Sequence, residues 1–228
     1  MGARDPAVQA LWRLLLARID GGWRQIPGTS QRSLLSPLSC RAIRSGEFCP
    51  RACGYTRAMS FDRKMIYDGR VIKVSIDTVD LPNGMRIPLE IVRHPGGAAV
   101  VALDAQNRVC VLRQYRHAAG GYIYELPAGK LEPGEPPEAT IKRELVEEAG
   151  VNAAHWQSLG TYFSSPGVFT EVIHLYLATG LEAVAARPEA DEVFEIEWWP
   201  LNQAMERARN GELVDAKTII GILRAGSR

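Results

Sequence analysis

The stretch Gly129 to Val151, GKLEPGEPPEATIKRELVEEAGV, decides how the rest of the chain is read. It opens with a glycine- and proline-rich loop, Gly129 to Pro137, and runs into an amphipathic helix that ends at Gly150. Pro136 and Pro137 suit a helix start, where a missing N–H leaves no partner unsatisfied, and Gly150 suits the position just past the end. Ala139, Ile141, Leu145, Val146 and Ala149 supply an apolar stripe for a core. Glu144, Glu147 and Glu148 stand at i, i+3 and i+4, so their carboxylates emerge side by side. Like charges at that spacing repel, and acids near a helix C-terminus oppose the macrodipole. Hard divalent cations between them resolve the conflict, because Mg²⁺ takes oxygen ligands. A solvated acidic face is the alternative reading of a shorter pattern.

The pattern here is longer. Gly129 is followed after five residues by Glu135, and after seven more by Arg143-Glu144-Leu145. One residue then separates these from Glu147-Glu148, and one more from Gly150-Val151. At ordinary usage each fixed Gly or Glu is roughly a one-in-fifteen event, so the whole set in register excludes chance. The stretch resembles the Nudix box in full, without a substitution, and identifies the chain as similar to the Nudix hydrolases. The segment LRQYRHAAGGYIYELPAGKLEPGE, Leu112 to Glu135, is similar to the ADP-ribose pyrophosphatase branch of that family. So is the placing of Pro166, sixteen residues beyond Gly150. The resemblance covers roughly residues 61 to 225.

That likeness carries several expectations. It implies an α/β/α sandwich with a mixed sheet, preceded by a small N-terminal antiparallel sheet, and a homodimer. It implies Mg²⁺, or else Mn²⁺, held by Glu144, Glu147 and Glu148 with the backbone carbonyl of Ala128. The implied reaction is hydrolysis of ADP-ribose to AMP and ribose 5-phosphate. Another nucleoside diphosphate sugar (GDP-mannose or UDP-glucose) is the nearest alternative, and a non-catalytic ADP-ribose-binding module is a third reading. The intact acids argue against the last. Chemistry supports the metal: cleaving a pyrophosphate needs charge neutralisation and a deprotonated water, and a bound cation provides both.

The general base of that branch is a Glu on a loop past the sheet, and the matching loop here, Arg187 to Glu192, offers Glu189 and Glu192. Arg143 is the cation of the box, either catalytic or holding the acids by charge-assisted hydrogen bonds. Glu135 orients the loop, and Gly129 and Gly134 give its backbone freedom. Arg116 suits a phosphate clamp, since a guanidinium grips two oxygens at once, with a surface ion pair as the alternative. Glu90 matches a position that contacts the adenosine end. His94, His117, His155 and His174 show no ligand spacing and read as structural.

Composition bounds the rest. A chain of 228 residues with 46% hydrophobic and 23% charged residues is an ordinary globular protein. Net charge +1 gives no argument for nucleic acid or a membrane surface as partner, and no apolar run reaches the ~20 residues of a membrane span. Residues 1–58 differ in composition from the remainder of the chain, with nine arginines, no lysine and only Asp5, Asp20 and Glu47 as acids. That is the composition of an organellar transit peptide, or else of a segment upstream of a true start at Met59. The expected division is therefore a disordered extension over 1–58 and a Nudix domain over 59–228, itself split into a dimerising sheet (59–94) and a catalytic core (95–228). Location is expected to be cytoplasmic, with organellar targeting open. Cys40, Cys49, Cys53 and Cys110 lack a completing His and read as reduced thiols.

The pattern predicts the elements in order. A hairpin pairs Lys64–Tyr67 with Val71–Val79, where Ile72, Val74 and Ile76 alternate with Lys73, Ser75 and Asp77. Arg86–Val92 completes a three-stranded meander too small to bury its own apolar face. Ala98–Leu103 and Arg108–Arg113 are expected as paired strands across an Asp104–Asn107 turn. Further strands are expected at Tyr122–Leu126, Trp156–Phe163, Thr170–Thr179 and Glu195–Trp199. A helix over Asn202–Asn210 stops at Gly211, and Asp215 caps a last helix.

Overall fold

Strand β4, Gly97–Ala102, is buried along its whole length and forms the axis of the fold. Its residues alternate between two layers, as a strand's period of two requires. Ala98, Val100 and Ala102 pack with Ile141 and Leu145 of helix α1, Pro137–Ala149. Ala99 and Val101 pack with Ala204 and Ala208 of α2, Leu201–Asn210, and with Ile222 and Ala225 of α3, Ala216–Gly226. Helices thus cover both faces of the sheet, which is the expected three-layer α/β/α arrangement. The computed structural model describes residues 61–185 and 193–228. The expectations for residues 1–58, and for Glu189 and Glu192, lie outside the described residues.

Three sheets carry the strands. β1 (Phe61–Asp68), β2 (Lys73–Asp80) and β3 (Arg86–Arg93) form the expected antiparallel meander. A mixed four-stranded sheet has β4 between β7 (Ala128–Lys130) and β9 (Val172–Ala183), with β8 (Val151–Phe163) at its edge. Its β4–β9 pair is parallel and its other pairs are antiparallel. The third sheet orders β10 (Phe194–Pro200), β5 (Arg108–Arg116) and β6 (Gly121–Glu125).

Two expectations fail here. β4 and β5 do not pair as a hairpin; a single bridge, Leu103 to Val109, joins them. Both edges of β4 are taken by β7 and β9, and both edges of β5 by β10 and β6. In β2 the alternation is present, but the more deeply covered side is the polar one. Ser75 is 0% and Asp77 5% exposed, while Val74 and Ile76 are half-buried. Arg93 reaches across from β3 to both the Ser75 hydroxyl and the Asp77 carboxylate, and Arg63 Nε of β1 donates to Asp77 at 3.3 Å. Paired this way, the acid tolerates a site that would otherwise penalise its charge.

The helix ends follow their capping residues. Pro137 opens α1, and Gly150, at φ +63°, closes it with its N–H on the Val146 carbonyl. Ile141 and Leu145 are fully buried, each worth about 1.5–3 kcal/mol of transfer free energy. Asp215 caps α3 as expected, accepting from Thr218 N at 3.0 Å and Thr218 Oγ1 at 2.6 Å. Among the described residues no helix is long and apolar enough to cross a membrane.

Candidate active site

The box sits where β7 meets α1. β7 pairs with β4 through Ala128 and Gly129, which hold a short run of backbone against the inner face of the helix. Glu148 is 1% exposed, and its Oε2 accepts the Ala128 N–H at 2.8 Å. The expectation of three acids on an open like-charged face is therefore corrected at Glu148, which lies inside. A Cβ on Gly129 would fall 1.9 Å from Glu144 Oε1 and 2.1 Å from Glu144 Cδ. Gly129 is thus required by close approach, while Gly134, at φ +82°, is required by backbone conformation. Glu148 and Glu144 thus meet consecutive residues of β7, the first at the Ala128 N–H and the second at the Gly129 Cα.

Arg143 neutralises the rest of the cluster. Its Nη1 donates to Glu147 at 2.7 Å and lies 3.1 Å from Glu144, and Nη2 lies 3.5 Å from Glu135. Burial opposes its charge, but the three carboxylates outweigh that and hold the guanidinium above its ordinary pKa. Glu135 accepts from Thr140 Oγ1 at 2.7 Å, and this bond, with Arg143, keeps its carboxyl below the usual range. Arg143, expected either to act in catalysis or to hold the acids, pairs with three of them here, and Glu135 is tied to Thr140 and Arg143. Beneath them Cys110 is fully buried, and burial, reinforced by Glu148, pushes its thiol up to about 12.

A cavity of about 870 Å³ opens beside the box, a volume typical of small-ligand sites. Gly129, Arg143 and Glu144 line it, facing Arg93 of the meander, Arg116 of β5 and Lys217 of α3. Arg116 grips Glu125 with two bonds, Nε to Oε1 at 2.8 Å and Nη2 to Oε2 at 2.9 Å. Glu125 is 2% exposed, and Lys217 Nζ donates to the same Oε2 at 2.5 Å and to Asp215 Oδ1 at 3.0 Å. Burial works against the Glu125 charge; the two cations overcome it and lower its pKa. Arg116 is thus an ion pair and a cavity residue at once.

The structure does not bring every expected residue to this cavity. Glu90 is exposed on β3, opposite Ile76, and outside the lining. Pro166 lies in the loop between the lining residues Ser164 and Glu171, and is not itself part of the wall. His94, read as structural, does line the cavity. Its Nδ1 accepts the Gly96 N–H at 3.1 Å and lies 3.2 Å from Glu171 Oε1. Burial lowers the His94 pKa and Lys130 adds to this, while Glu171 acts in the opposite direction. Among the described residues, no three acids, imidazoles or thiolates converge on one point as a ready-made metal cage.

The family model described as the NUDIX domain matches residues 93–219, more than half of the chain. The chain belongs to the Nudix hydrolase family. Similar proteins include the methanol dehydrogenase activator of Bacillus methanolicus, 40% identical over 161 residues, spanning 70% of this chain and 87% of that protein. The ADP-ribose pyrophosphatase of Bacillus subtilis is 37% identical over 162 residues, spanning 70% of this chain and 88% of that protein. A solved structure described as an ADP compounds hydrolase superposes with a TM-score of 0.65 at 20% identity. It covers 75% of this chain and 94% of that one, and so supports the fold.

In this Nudix hydrolase, sequence reasoning located the box and Arg116 but missed Glu125, Lys217, Glu171 and the cavity side of His94. Glu125 had no local signal: in β6 the core side is that of Tyr124 and Leu126, and Glu125 falls on the opposite face. Lys217, two residues into the turn capped by Asp215, had none, because its partner Glu125 is 92 positions away.

Proposed function

We propose that this Nudix hydrolase cleaves the pyrophosphate bond of ADP-ribose, giving AMP and ribose 5-phosphate, with Mg²⁺ as cofactor. One observation carries the reading: Glu144, against the Ala128–Gly129 peptide, and the Glu125-held Arg116 line the same cavity. Buried Glu148 accepts the N–H of Ala128 next to it. The donors around the peptide are all hard oxygens, which fits Mg²⁺, a cation commonly held by one or two carboxylates while waters and substrate phosphates complete the shell. Glu144 and Glu148, with Glu147 and the Ala128 carbonyl, would hold it. When bound, such a cation polarises a phosphoryl oxygen and lowers the pKa of a coordinated water.

The chain's own residues do the rest. Arg116 offers guanidinium N–H groups to phosphate oxygens. Arg143 keeps the carboxylates in place by pairing with three of them. Glu192 or Glu189 takes the proton of the attacking water. The water oxygen bonds to one phosphorus, the bridging P–O bond breaks, and the leaving phosphate carries away the electron pair. The chain works as a homodimer in this reading, since the meander leaves Met65, Ile66 and Tyr67 about half exposed, a set of apolar side chains that a second copy would cover.

A substrate panel tests the assignment: ADP-ribose, GDP-mannose, UDP-glucose, NADH and diadenosine polyphosphates, each with Mg²⁺ and with chelator. Preferred cleavage of ADP-ribose that stops with chelator is the expected result. Preference for another sugar nucleotide overturns the substrate, and turnover that continues in chelator overturns the metal.

A further inference from the structure

Glu125 is a costly residue where it stands. It is 2% exposed, on the face of β6 opposite the core residue Tyr124, and yet is held in its charged form by Arg116 and Lys217. Buried ion pairs of this kind seldom add stability over apolar packing, because desolvation of the charges offsets their attraction. What the arrangement does provide is geometry. Both oxygens of Glu125 are occupied, one by Arg116 Nε and the other by Arg116 Nη2 and Lys217 Nζ. Asp215 fixes Lys217 from its other side while capping α3 through Thr218. Thr218 Oγ1 in turn accepts the N–H of Leu126, the residue after Glu125. The network joins β5, β6 and α3 at one wall of the cavity, and its two cations both face that space. Arg143 and Glu144 of the box line the same cavity as these two cations.

We propose that Glu125 is a positioning residue that fixes Arg116 and Lys217 as a two-cation grip for the diphosphate of the substrate, with Lys217 a phosphate-contacting residue. The proposal rests on the reading of the cavity as a pyrophosphate-hydrolysing site, and adds the residues that orient the substrate there. Arg116 spends two N–H groups on Glu125 and presents its remaining edge. Lys217 gives two of three donors to carboxylates and keeps one.

Neutralising Glu125 separates positioning from simple field effects. Glu125→Gln keeps the shape and makes the cavity more positive, so a field acting alone predicts tighter anion binding. Positioning predicts the opposite. Titration of inorganic pyrophosphate in chelator, where neither metal nor turnover contributes, is expected to show affinity reduced about tenfold or more in Glu125→Gln and Lys217→Met. Lys217→Arg should recover much of the loss. On the hydrolysed substrate the same variants should raise KM far more than they lower kcat. Unchanged or tighter pyrophosphate binding in a folded Glu125→Gln overturns the proposal. Should that variant not fold, unchanged binding in Lys217→Met overturns it instead. The readout is independent of the substrate: failure of ADP-ribose turnover with the expected pyrophosphate losses refutes the proposed reaction and leaves the grip standing.

Discussion

Gly129→Ala offers a perturbation whose size can be read from the geometry. The new Cβ would lie 1.9 Å from Glu144 Oε1, 2.1 Å from Cδ and 2.4 Å from Cγ. Ordinary contact begins at 3.4 Å, so the carboxylate has to move by about 1.5 Å or more. Gly129 does not have a left-handed φ, so an alanine fits the backbone and the cost is steric alone. Overpacking of this kind costs about 1–3 kcal/mol, and a 1 Å misplacement of a catalytic group costs on the order of a hundredfold in rate. Both effects should therefore pass through one side chain. Urea unfolding of Gly129→Ala, Glu144→Ala and the double variant tests this as a cycle. Truncating Glu144 removes the three atoms nearest the new Cβ, so Gly129→Ala is expected to cost far less in that background. An equal stability loss in both backgrounds, or wild-type kcat in Gly129→Ala, would refute the reasoning.

Three further outcomes are expected. Leu145→Ala empties a fully buried site between α1 and the sheet and should lower unfolding free energy by about 2–5 kcal/mol, measured by denaturant titration. Asp77 is pushed up by burial but held below its ordinary 3.8 by Ser75, Arg93 and Arg63, and Glu125 likewise stays below 4.5. Each contributes stability that is complete above its unfolded pKa and is lost as pH falls through its lower folded pKa, so stability should drop below about pH 4.5. Asp77→Asn should flatten that acid slope in urea unfolding between pH 3 and 7; an unchanged slope would remove Asp77 from the account. The exposed apolar side chains of the meander predict a dimer by light scattering, and Ile66→Lys with Tyr67→Lys should give a monomer.

What the sequence revealed was local in the chain. The box could be read because its groups lie within one loop and one helix, where fixed spacing becomes fixed geometry; Gly150 and Asp215 announced helix limits for the same reason. Sheet membership was not legible. β4 and β5 look like a hairpin from the Asp104–Asn107 turn, and only the distant strands β9 and β10 decide otherwise. Buried polar groups misled in a similar way. Ser75 and Asp77 read as a solvent face because Arg93, which covers them, is 18 and 16 positions removed. The depth of Glu148 was missed because periodicity assigns faces and not the backbone of β7 that lies against one of them.

The central claim is that Glu144 and Glu148, beside Ala128 and Gly129, hold the cation that supports hydrolysis of ADP-ribose. The most direct test follows ADP-ribose with Mg²⁺ by phosphorus NMR, for the wild-type chain and Glu148→Gln. The Gln side chain can still accept the Ala128 N–H, so the melting temperature should change little. The account predicts AMP and ribose 5-phosphate from the wild type, and a rate on the order of a thousandfold lower in the variant, since several kcal/mol of charge stabilisation are lost. Wild-type turnover in a folded Glu148→Gln would contradict it.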